Sequence, residues 1–283
     1  MNQLKAKKAI EAFLLEDLGE GDLSSSIFED GATGIGTFVA KADGVLAGSM
    51  IIQWAYELLG GTFEVCFEKQ DGDVLKRGDV IATVKGSIPT LLSAERVILN
   101  LMQRMSGIAT LTKKAVEALN SDVTKICDTR KTMPGLRHFD KYAVTCGGGK
   151  NHRFGLYDAI MLKDNHIAYA GSIEKAVKAA RDKVGHTVKI EVETETEGQV
   201  AEAVKAGADI IMLDNCPPEI IQERLKLIPS SIITEASGGI TLENLQTYGN
   251  CGVGFISLGC LTHSVTALDI SFNLEGGTKT WTY

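Results

Sequence analysis

The chain has 283 residues, of which 44% are hydrophobic and 23% are charged, a composition typical of a globular protein with room for one large domain or two smaller ones. Its formal net charge of −7 argues against a broad nucleic-acid-binding face. The chain also contains no run of 18 consecutive apolar residues, which is the length needed to span a membrane. The first residues lack an apolar signal core, and the six cysteines show no Cys-x-x-Cys spacing. We therefore expect a cytoplasmic protein with reduced thiols.

The first part of the chain has a mixed helix and strand pattern. An amphipathic helix is predicted over 3–15 and a second helix over 50–59, and three glycine-punctuated segments have strand character: 33–48, 62–72 and 79–86. The segment "DGDVLKRGDVIATVKG" is similar to half of a biotinyl or lipoyl carrier sandwich, but the carrier lysine motif is missing. We interpret the segment as structural and assign this part to the α+β class.

Residues 91–120 form one long helical pattern, or two helices joined near Gly107. Apolar residues recur at helical spacing, as in Val97, Leu101 and Met105. The same stretch carries Arg96 and Arg104. An apolar helix must either expose such charged groups or present them to an anion.

After residue 120, short apolar runs rich in β-branched residues alternate with helical stretches. The runs are 124–129, 158–163, 188–193, 209–214, 231–237 and 254–259, and the helical stretches are 172–184, 197–206, 217–227 and 241–247. Such strands, covered on both faces, indicate parallel βα units. Six of them can form a barrel, complete or incomplete, or a doubly wound sheet, and we favour the barrel.

Nearly every predicted strand ends on a charged or phosphate-binding residue type, at the edge where parallel barrels carry their chemistry. These residues are Asp128 with Arg130 and Lys131, Lys163, Glu193, Asp214, Ser237 with Gly238 and Gly239, and Gly259 with His263 just beyond. Residues 130–166 hold seven Lys/Arg against three acids, a net +4 that leaves −11 for the remainder. A local cationic cluster in an anionic chain indicates a small anionic ligand.

The strand-end residues fall into three chemical groups. Arg130, Lys131, Arg153 and Lys163, with His152, form a cationic pocket suited to carboxylates. Glu193 and Asp214 suit sugar hydroxyls or a hydrated Mg²⁺ ion. The glycine loops "SGGI" and "SLGCLTHS" suit a phosphate group. The sequence therefore predicts a cavity for a carboxylated ligand on one side and a phosphorylated sugar on the other.

Several long motifs together resemble one enzyme family. They are "AERVILNLMQRMSGIAT", "DTRKTMPGLRHFDKYAV", "GGGKNHRFGLYDAIMLKDNH", "IIMLDN", "EASGGI" and "ISLGCLTHS". With "EDLGEGD" near the start, they give a resemblance to the quinolinate phosphoribosyltransferases over nearly the whole chain. The departures are mild: Leu23 and Ser24 follow "GD", and Asp140 stands where the family tends to have Glu.

The resemblance implies an N-terminal α+β sandwich followed by an open, incomplete parallel α/β barrel of seven strands. This agrees with the change of pattern along the chain, which places the sandwich at 1–110 and the barrel at 111–264, and we expect 265–283 to return to the first domain. The resemblance implies phosphoribosyl transfer from phosphoribosyl pyrophosphate to quinolinate with decarboxylation, in NAD biosynthesis. It also implies Mg²⁺ as the cofactor and a homodimer, and it leaves open whether dimers assemble into a higher oligomer. The composition predicts no nucleic-acid or membrane partner.

Residue roles follow from the same resemblance. Quinolinate is expected to be bound by Arg130, His152, Arg153 and Lys163, with Arg104 reaching in from the neighbouring subunit. The catalytic residues Lys131, Glu193 and Asp214 are expected to bind pyrophosphate, ribose hydroxyls and, indirectly, Mg²⁺. The 5-phosphate is expected at Ser237, Gly238, Gly239 and Gly259, close to His263.

Three alternatives remain open at the level of sequence. A relative could use another acid such as nicotinate, or belong to a paralogous group linked to molybdenum metabolism, although the number of cations favours a dicarboxylate. Lys163 could instead be the nucleophile of a Schiff-base aldolase, if its pKa were depressed. The carrier-like segment could also indicate a binding or scaffold protein.

Overall fold

The structure is a computed structural model that describes residues 1–29 and 31–275, and the segment 276–283 of the predicted C-terminal return lies outside the described residues. The chain divides into two compact units. The first comprises Met1–Leu111, Met133–Gly148 and the described residues from Val265 on, and the second comprises Thr112–Thr132 and Gly149–Ser264. No helix within the described ranges combines the length and the apolar character needed to cross a membrane.

The first unit contains a four-stranded antiparallel sheet and a two-stranded ribbon. The strands are β1 (Thr33–Ala40), β2 (Gly44–Val45), β3 (Phe63–Phe67), β4 (Val74–Leu75), β5 (Val80–Ser87) and β12 (Ile270–Glu275). The sheet order is β12-β1-β5-β3, and β2 pairs with β4. The described end of the chain therefore returns to pair with the first strand, in register Phe38 to Phe272.

Alternating burial defines the core of this sheet. Every second residue of β1 is buried, and the Phe38 and Phe272 rings are 4.8 Å apart. The unit also contains α1 (Gln3–Leu18) and α2 (Met50–Leu59), the former capped by the Asn2 side chain. A short 3₁₀ helix, Ser25–Ile27, precedes β1.

The long helical pattern is one helix, α3 (Ile88–Leu119), which continues through Gly107. The backbone of Thr266 and Ala267 passes so close to Gly107 that a Cβ atom there would collide with the Thr266 carbonyl oxygen. Glycine therefore marks a contact with the returning chain, and no helix boundary occurs there.

The observed division differs from the predicted one at residues 133–148, which fall within the predicted barrel segment but belong to the first unit. They contain α4 (Arg137–Cys146). The Tyr142 hydroxyl donates to Asp71 at 2.8 Å, and the Phe139 ring lies 6.3 Å from that of Phe13. These contacts join α4 to the first unit, and such long-range partners are not visible in the local sequence.

The second unit is an open parallel α/β barrel. Its strands are β6 (Lys125–Cys127), β7 (Ile160–Leu162), β8 (Ile190–Thr194), β9 (Ile210–Asp214), β10 (Ile233–Ser237) and β11 (Phe255–Ser257). The sheet order is β6-β11-β10-β9-β8-β7, with every pairing parallel. In the described ranges no ladder joins β6 to β7, so the barrel is not closed, as predicted.

The strand count is six, as the apolar runs predict, whereas the resemblance implies seven. A single parallel bridge joins Cys127 of β6 to Lys150. It is the only pairing on that side of β6 within the described residues, and it is too short to count as a strand.

The second unit's helices are α5 (Asp164–Ala170), α6 (Ile173–Arg181), α7 (Glu197–Lys205), α8 (Pro218–Leu225) and α9 (Cys260–His263). Ser172 and Thr196 cap α6 and α7 through their side chains. The helix predicted over 241–247 is wrong: only a 3₁₀ turn, Leu245–Tyr248, forms there. Asn244 accepts from the Thr241 amide and donates to the Gly239 carbonyl, which holds the preceding residues in a loop.

Candidate active site

The carboxyl ends of the barrel strands surround a cavity of about 550 Å³ in the second unit. Parallel strands bring their ends to one edge of the sheet, so residues far apart in sequence meet there. Nine residues predicted from the sequence line this cavity: Arg130, Lys131, His152, Arg153, Lys163, Glu193, Asp214, Ser237 and Gly238. Its volume is within the range of small-molecule sites.

One side of the cavity is cationic. The Arg153 guanidinium donates through Nη1 to the Ala159 carbonyl at 2.9 Å, which fixes its direction. Burial, and then the neighbouring Arg130 charge, lower the pKa of Arg153 from its ordinary value. Two guanidinium groups held close together in a partly buried site favour the binding of an anion, and their planar geometry suits carboxylates.

His152 lies deeper in the same side of the cavity. Its backbone amide donates to Asp128 Oδ1 at 2.8 Å, and Asn151 Nδ2 donates to the other oxygen of this fully buried carboxylate at 2.7 Å. The His152 ring accepts a hydrogen bond at Nδ1 from the Arg153 amide, at 2.7 Å. The backbone at 151–153 is therefore fixed from both sides.

Lys163 bridges the cationic and acidic sides. Its Nζ lies 2.6 Å from Glu193 Oε2, while 47% of the lysine side chain remains exposed. Exposed ion pairs of this kind are weak, so either partner can exchange it for a substrate group. The arrangement disfavours a Schiff-base role, because a lysine nucleophile is usually activated by apolar burial, whereas Lys163 is half exposed and pairs with a carboxylate.

The acidic side consists of Glu193 and Asp214 at the ends of β8 and β9. Burial, and then the Glu193 charge, raise the pKa of Asp214, although Lys163 opposes the shift. Asn215, in a left-handed conformation with φ 52°, donates from Nδ2 to Asp214 Oδ2 at 2.6 Å. Two carboxylates that repel each other in a polar cavity fit the oxygen-rich donor set that Mg²⁺ prefers.

The glycine loop after β10 approaches this acidic side closely. Gly238 has φ 81°, and a Cβ atom there would lie 2.8 Å from Asp214 Oδ1 and still closer to the Asn215 amide. Gly239 also has a positive φ, 66°, but faces open space. Glycine adopts this conformation without strain, and its lack of a Cβ atom permits the close approach at residue 238.

Gly259 and His263 lie beside the cavity, next to Lys131. A Cβ atom at Gly259 would lie 2.9 Å from Lys131 Cδ and 3.2 Å from His263 Nε2. Thr262 Oγ1 donates to the Lys131 carbonyl at 2.8 Å, which ties the β11 end to the loop after β6. Gly259 and His263, which the sequence predicts as site residues, therefore lie next to Lys131, which it predicts as part of the cationic pocket.

Arg104 lies in the first unit, on α3, and not among the lining residues of the cavity. Its Nε and Nη2 donate to the two oxygens of Asp140 at 2.9 and 2.8 Å. Asp140 is fully buried, and a bidentate pair of this kind fixes the plane of the guanidinium.

The cavity also contains residues that sequence reasoning missed: Thr129, Met161, Met212, Asn215, Glu235 and Ser257. Four of them lie two residues before a predicted strand-end residue, namely Met161, Met212, Glu235 and Ser257. Side chains two apart in a strand share a face. Counting back two positions from each strand end would have found this second layer.

Two family models match consecutive parts of the chain. The model described as "Quinolinate phosphoribosyl transferase, N-terminal domain" matches residues 22–106, and that of the C-terminal domain matches residues 108–273. Together they cover both units.

Relatives and solved structures match over nearly the full length. A probable nicotinate-nucleotide pyrophosphorylase (carboxylating) of Bacillus subtilis (strain 168) is 56% identical over 275 residues, which are 97% of this chain and 95% of that protein. The crystal structure of NadC from Streptococcus pyogenes has a TM-score of 0.94 at 41% identity and covers 98% of both chains. A nicotinate-nucleotide pyrophosphorylase structure from Francisella tularensis has a TM-score of 0.92 at 34% identity, covering 97% of this chain and 98% of that one.

Proposed function

This chain belongs to the quinolinate phosphoribosyltransferase family, and we propose that it transfers the phosphoribosyl group of phosphoribosyl pyrophosphate to quinolinate. The products are nicotinate mononucleotide, pyrophosphate and carbon dioxide, so the reaction serves NAD biosynthesis. The observation that carries the proposal is one cavity with arginines at one side and a carboxylate pair beside a glycine loop at the other.

The cationic side is assigned to quinolinate. Arg130, Arg153 and Lys163 bind its two carboxylates. The two negative charges of quinolinate are balanced by these positively charged side chains. Each charge-assisted hydrogen bond contributes about 1.5–3 kcal/mol, so several of them offset the mutual repulsion of two anionic substrates. His152 belongs to the same subsite, and Arg104 is assigned to the site of the neighbouring subunit in a homodimer.

The acidic side and the glycine loops are assigned to phosphoribosyl pyrophosphate. Glu193 and Asp214 bind the ribose hydroxyls and would hold Mg²⁺ indirectly, and the chemistry this ion supplies is neutralisation of the pyrophosphate charge. Lys131 binds the pyrophosphate. The 5-phosphate is assigned to Ser237, Gly238, Gly239 and Gly259, with His263 nearby.

The reaction proceeds mainly by positioning and fixed charge. Departure of pyrophosphate, stabilised by Lys131, leaves an oxocarbenium-like ribose, and Glu193 and Asp214 stabilise its positive charge. The pyridine nitrogen of quinolinate, held by Arg130 and Arg153, then attacks the anomeric carbon. The resulting pyridinium accepts the electron pair released when the 2-carboxylate leaves as carbon dioxide, and C2 takes up a proton.

The cytoplasm is the proposed location, because all six cysteines are free thiols and thiols stay reduced in that compartment.

The first test is turnover with quinolinate, phosphoribosyl pyrophosphate and Mg²⁺, following pyrophosphate and carbon dioxide together, with nicotinate as the control substrate. We expect equal release of both products from quinolinate and neither from nicotinate. Pyrophosphate without carbon dioxide, or turnover of nicotinate instead, would keep a phosphoribosyl site but contradict quinolinate as the substrate.

Two arginine variants, one a control, test the quinolinate subsite in the same assay. Arg130→Ala should lower kcat/KM for quinolinate by at least about a hundredfold, the loss expected for two charge-assisted bonds. Arg181→Ala is the control, because Arg181 is an arginine of the same unit that pairs with Asp209 at 2.7 Å at the opposite end of the sheet. It should lower stability and leave turnover unchanged.

A further inference from the structure

Two buried carboxylates lie at the floor of the cavity below its cationic side, and one of them, Glu235, is among the lining residues. Glu191 on β8 and Glu235 on β10 lie two residues before Glu193 and Ser237, so they form the layer below the strand ends. They are 1% and 5% exposed. One oxygen of each and one nitrogen of His152 lie within 4.8 Å of one another. Acids directly below a pocket for a dianion oppose substrate binding by charge, so they call for another explanation.

The hydrogen bonds of His152 define which nitrogen carries its proton. Nδ1 accepts from the Arg153 amide at 2.7 Å and therefore carries no hydrogen. The ring proton is thus on Nε2, which lies 3.2 Å from Glu191 Oε2 and 3.5 Å from Glu235 Oε2. Both ring nitrogens of His152 therefore face groups of the protein: Nδ1 faces the Arg153 amide, and Nε2 faces Glu191 and Glu235.

The same geometry argues against a metal ion at this cluster. A histidine that binds a metal through Nε2 donates its other N–H to an acceptor. Here Nδ1 faces a donor, the amide of Arg153. A metal ion on Nε2 would put the ring hydrogen on Nδ1, against the Arg153 amide, whereas a ring proton on Nε2 leaves Nδ1 free to accept from that amide.

We propose that Glu191 and Glu235 are positioning residues that hold the His152 ring in one orientation and one tautomer and, through Nδ1, fix the backbone that carries Arg153. The acid pair thereby sets the affinity of the site for the dicarboxylate substrate, an inference that rests on the proposed function. His152 then acts through Arg153, and no hydrogen bond from its ring to the substrate is required. Arg153 is fixed at its other end by Ala159, so its direction depends on this backbone.

Kinetics with matched variants tests the effect on the substrate. Glu235→Leu removes one of the two acceptors that face His152 Nε2 and should raise KM for quinolinate about tenfold, the cost of one lost buried partner, with KM for phosphoribosyl pyrophosphate changed less than about twofold. Glu235→Gln keeps an acceptor oxygen and should recover most of that loss. Thr124→Val is the control, since it removes a buried hydrogen bond of 2.7 Å to the Val253 carbonyl at the opposite end of the sheet and should change stability alone.

The ¹⁵N chemical shifts of His152 test the mechanism without activity. We expect a protonated Nε2 and an unprotonated Nδ1 in the wild type, and loss of this single tautomer in Glu191→Leu/Glu235→Leu. A proton on Nδ1, Zn²⁺ binding that Glu191→Gln abolishes, or an unchanged KM for quinolinate in Glu235→Leu would overturn the proposal. If the wild-type protein does not turn over quinolinate, the proposed function is wrong. The tautomer measurement would still decide whether Glu191 and Glu235 hold His152 in one orientation.

Discussion

At the scale of single residues, Glu235 is a carboxyl group in surroundings that oppose its charge. Burial, and then the neighbouring Glu191 carboxylate, raise the pKa of Glu235 from 4.5 to about 7, while His152 opposes the shift and Asp128 adds to it. The folded protein therefore binds a proton more tightly than the unfolded chain. Its free energy of unfolding should fall as pH rises from about 4.5 to about 7, because the unfolded state loses its proton first.

Glu235→Gln removes this dependence, since the amide has no charge at any pH. Relative to wild type, the variant should gain on the order of 1–3 kcal/mol in free energy of unfolding between pH 5 and pH 8. Urea unfolding at several pH values measures the difference. Glu219→Gln, at an exposed residue, is the control and should give a curve parallel to wild type, and a parallel curve for Glu235→Gln would contradict the prediction.

The sequence predicts the strand-end residues well and the layer beneath them poorly. Lys163, Glu193 and Asp214 each follow an apolar run, and a charge at that point is readily recognised. Glu235 lies within such a run, so the pattern predicts a strand residue there and gives no sign of a site residue. The left-handed Asn215, whose amide binds Asp214, depends on contacts with the next strand that no local pattern contains.

At the scale of elements, the barrel strands were predictable because they are apolar on both faces, whereas α4 was not. Its sequence, RHFDKYAVTC, mixes charged residues with apolar ones, and Asp140 and Lys141 are fully buried alongside Phe139. Because charged residues are usually exposed, a helix with buried charged residues has a sequence pattern that resembles a loop or an exposed helix. The partners that allow this burial, such as Arg104, lie elsewhere in the chain.

The turn after β10 gives a prediction at this scale. Gly238→Ala should raise KM for phosphoribosyl pyrophosphate and lower kcat, because its Cβ would displace the Asp214 and Asn215 side chains. Gly60→Ala is the matched control: its φ is 79° against 81°, and its surroundings are open. Both variants should lose on the order of 1–3 kcal/mol of stability from backbone strain. Thermal unfolding and kinetics together separate strain from displacement, and equal kinetics for both variants would contradict the assigned role.

At the scale of the whole molecule, the order of the chain does not follow the order of the units. Residues 133–148 leave the barrel segment for the first unit, and the described end of the chain pairs with β1. The return of the C-terminal segment to the first domain is predicted from the sequence. The excursion at 133–148 was not, because it depends on Asp71, Phe13 and Arg104, which are distant in sequence.

Assembly is the remaining question at this scale, and Arg104 connects it to catalysis. Its guanidinium is held by Asp140 in the first unit, while the cavity is lined by the second unit. If Arg104 completes the site of a neighbouring subunit, then Arg104→Ala and Arg153→Ala should complement each other. A mixed dimer has one site with both residues intact, so equal mixing should restore about a quarter of wild-type activity.

The measurement is turnover after the two inactive variants are mixed and allowed to exchange subunits, with exchange followed by native mass spectrometry. Arg130→Ala mixed with Arg153→Ala is the control, because both residues line one chain's cavity and every site would keep a defect. Recovery in the first mixture alone supports a shared site. Exchange without recovery would mean that Arg104 serves its own chain, since every subunit would then carry one defect in the site that it forms itself.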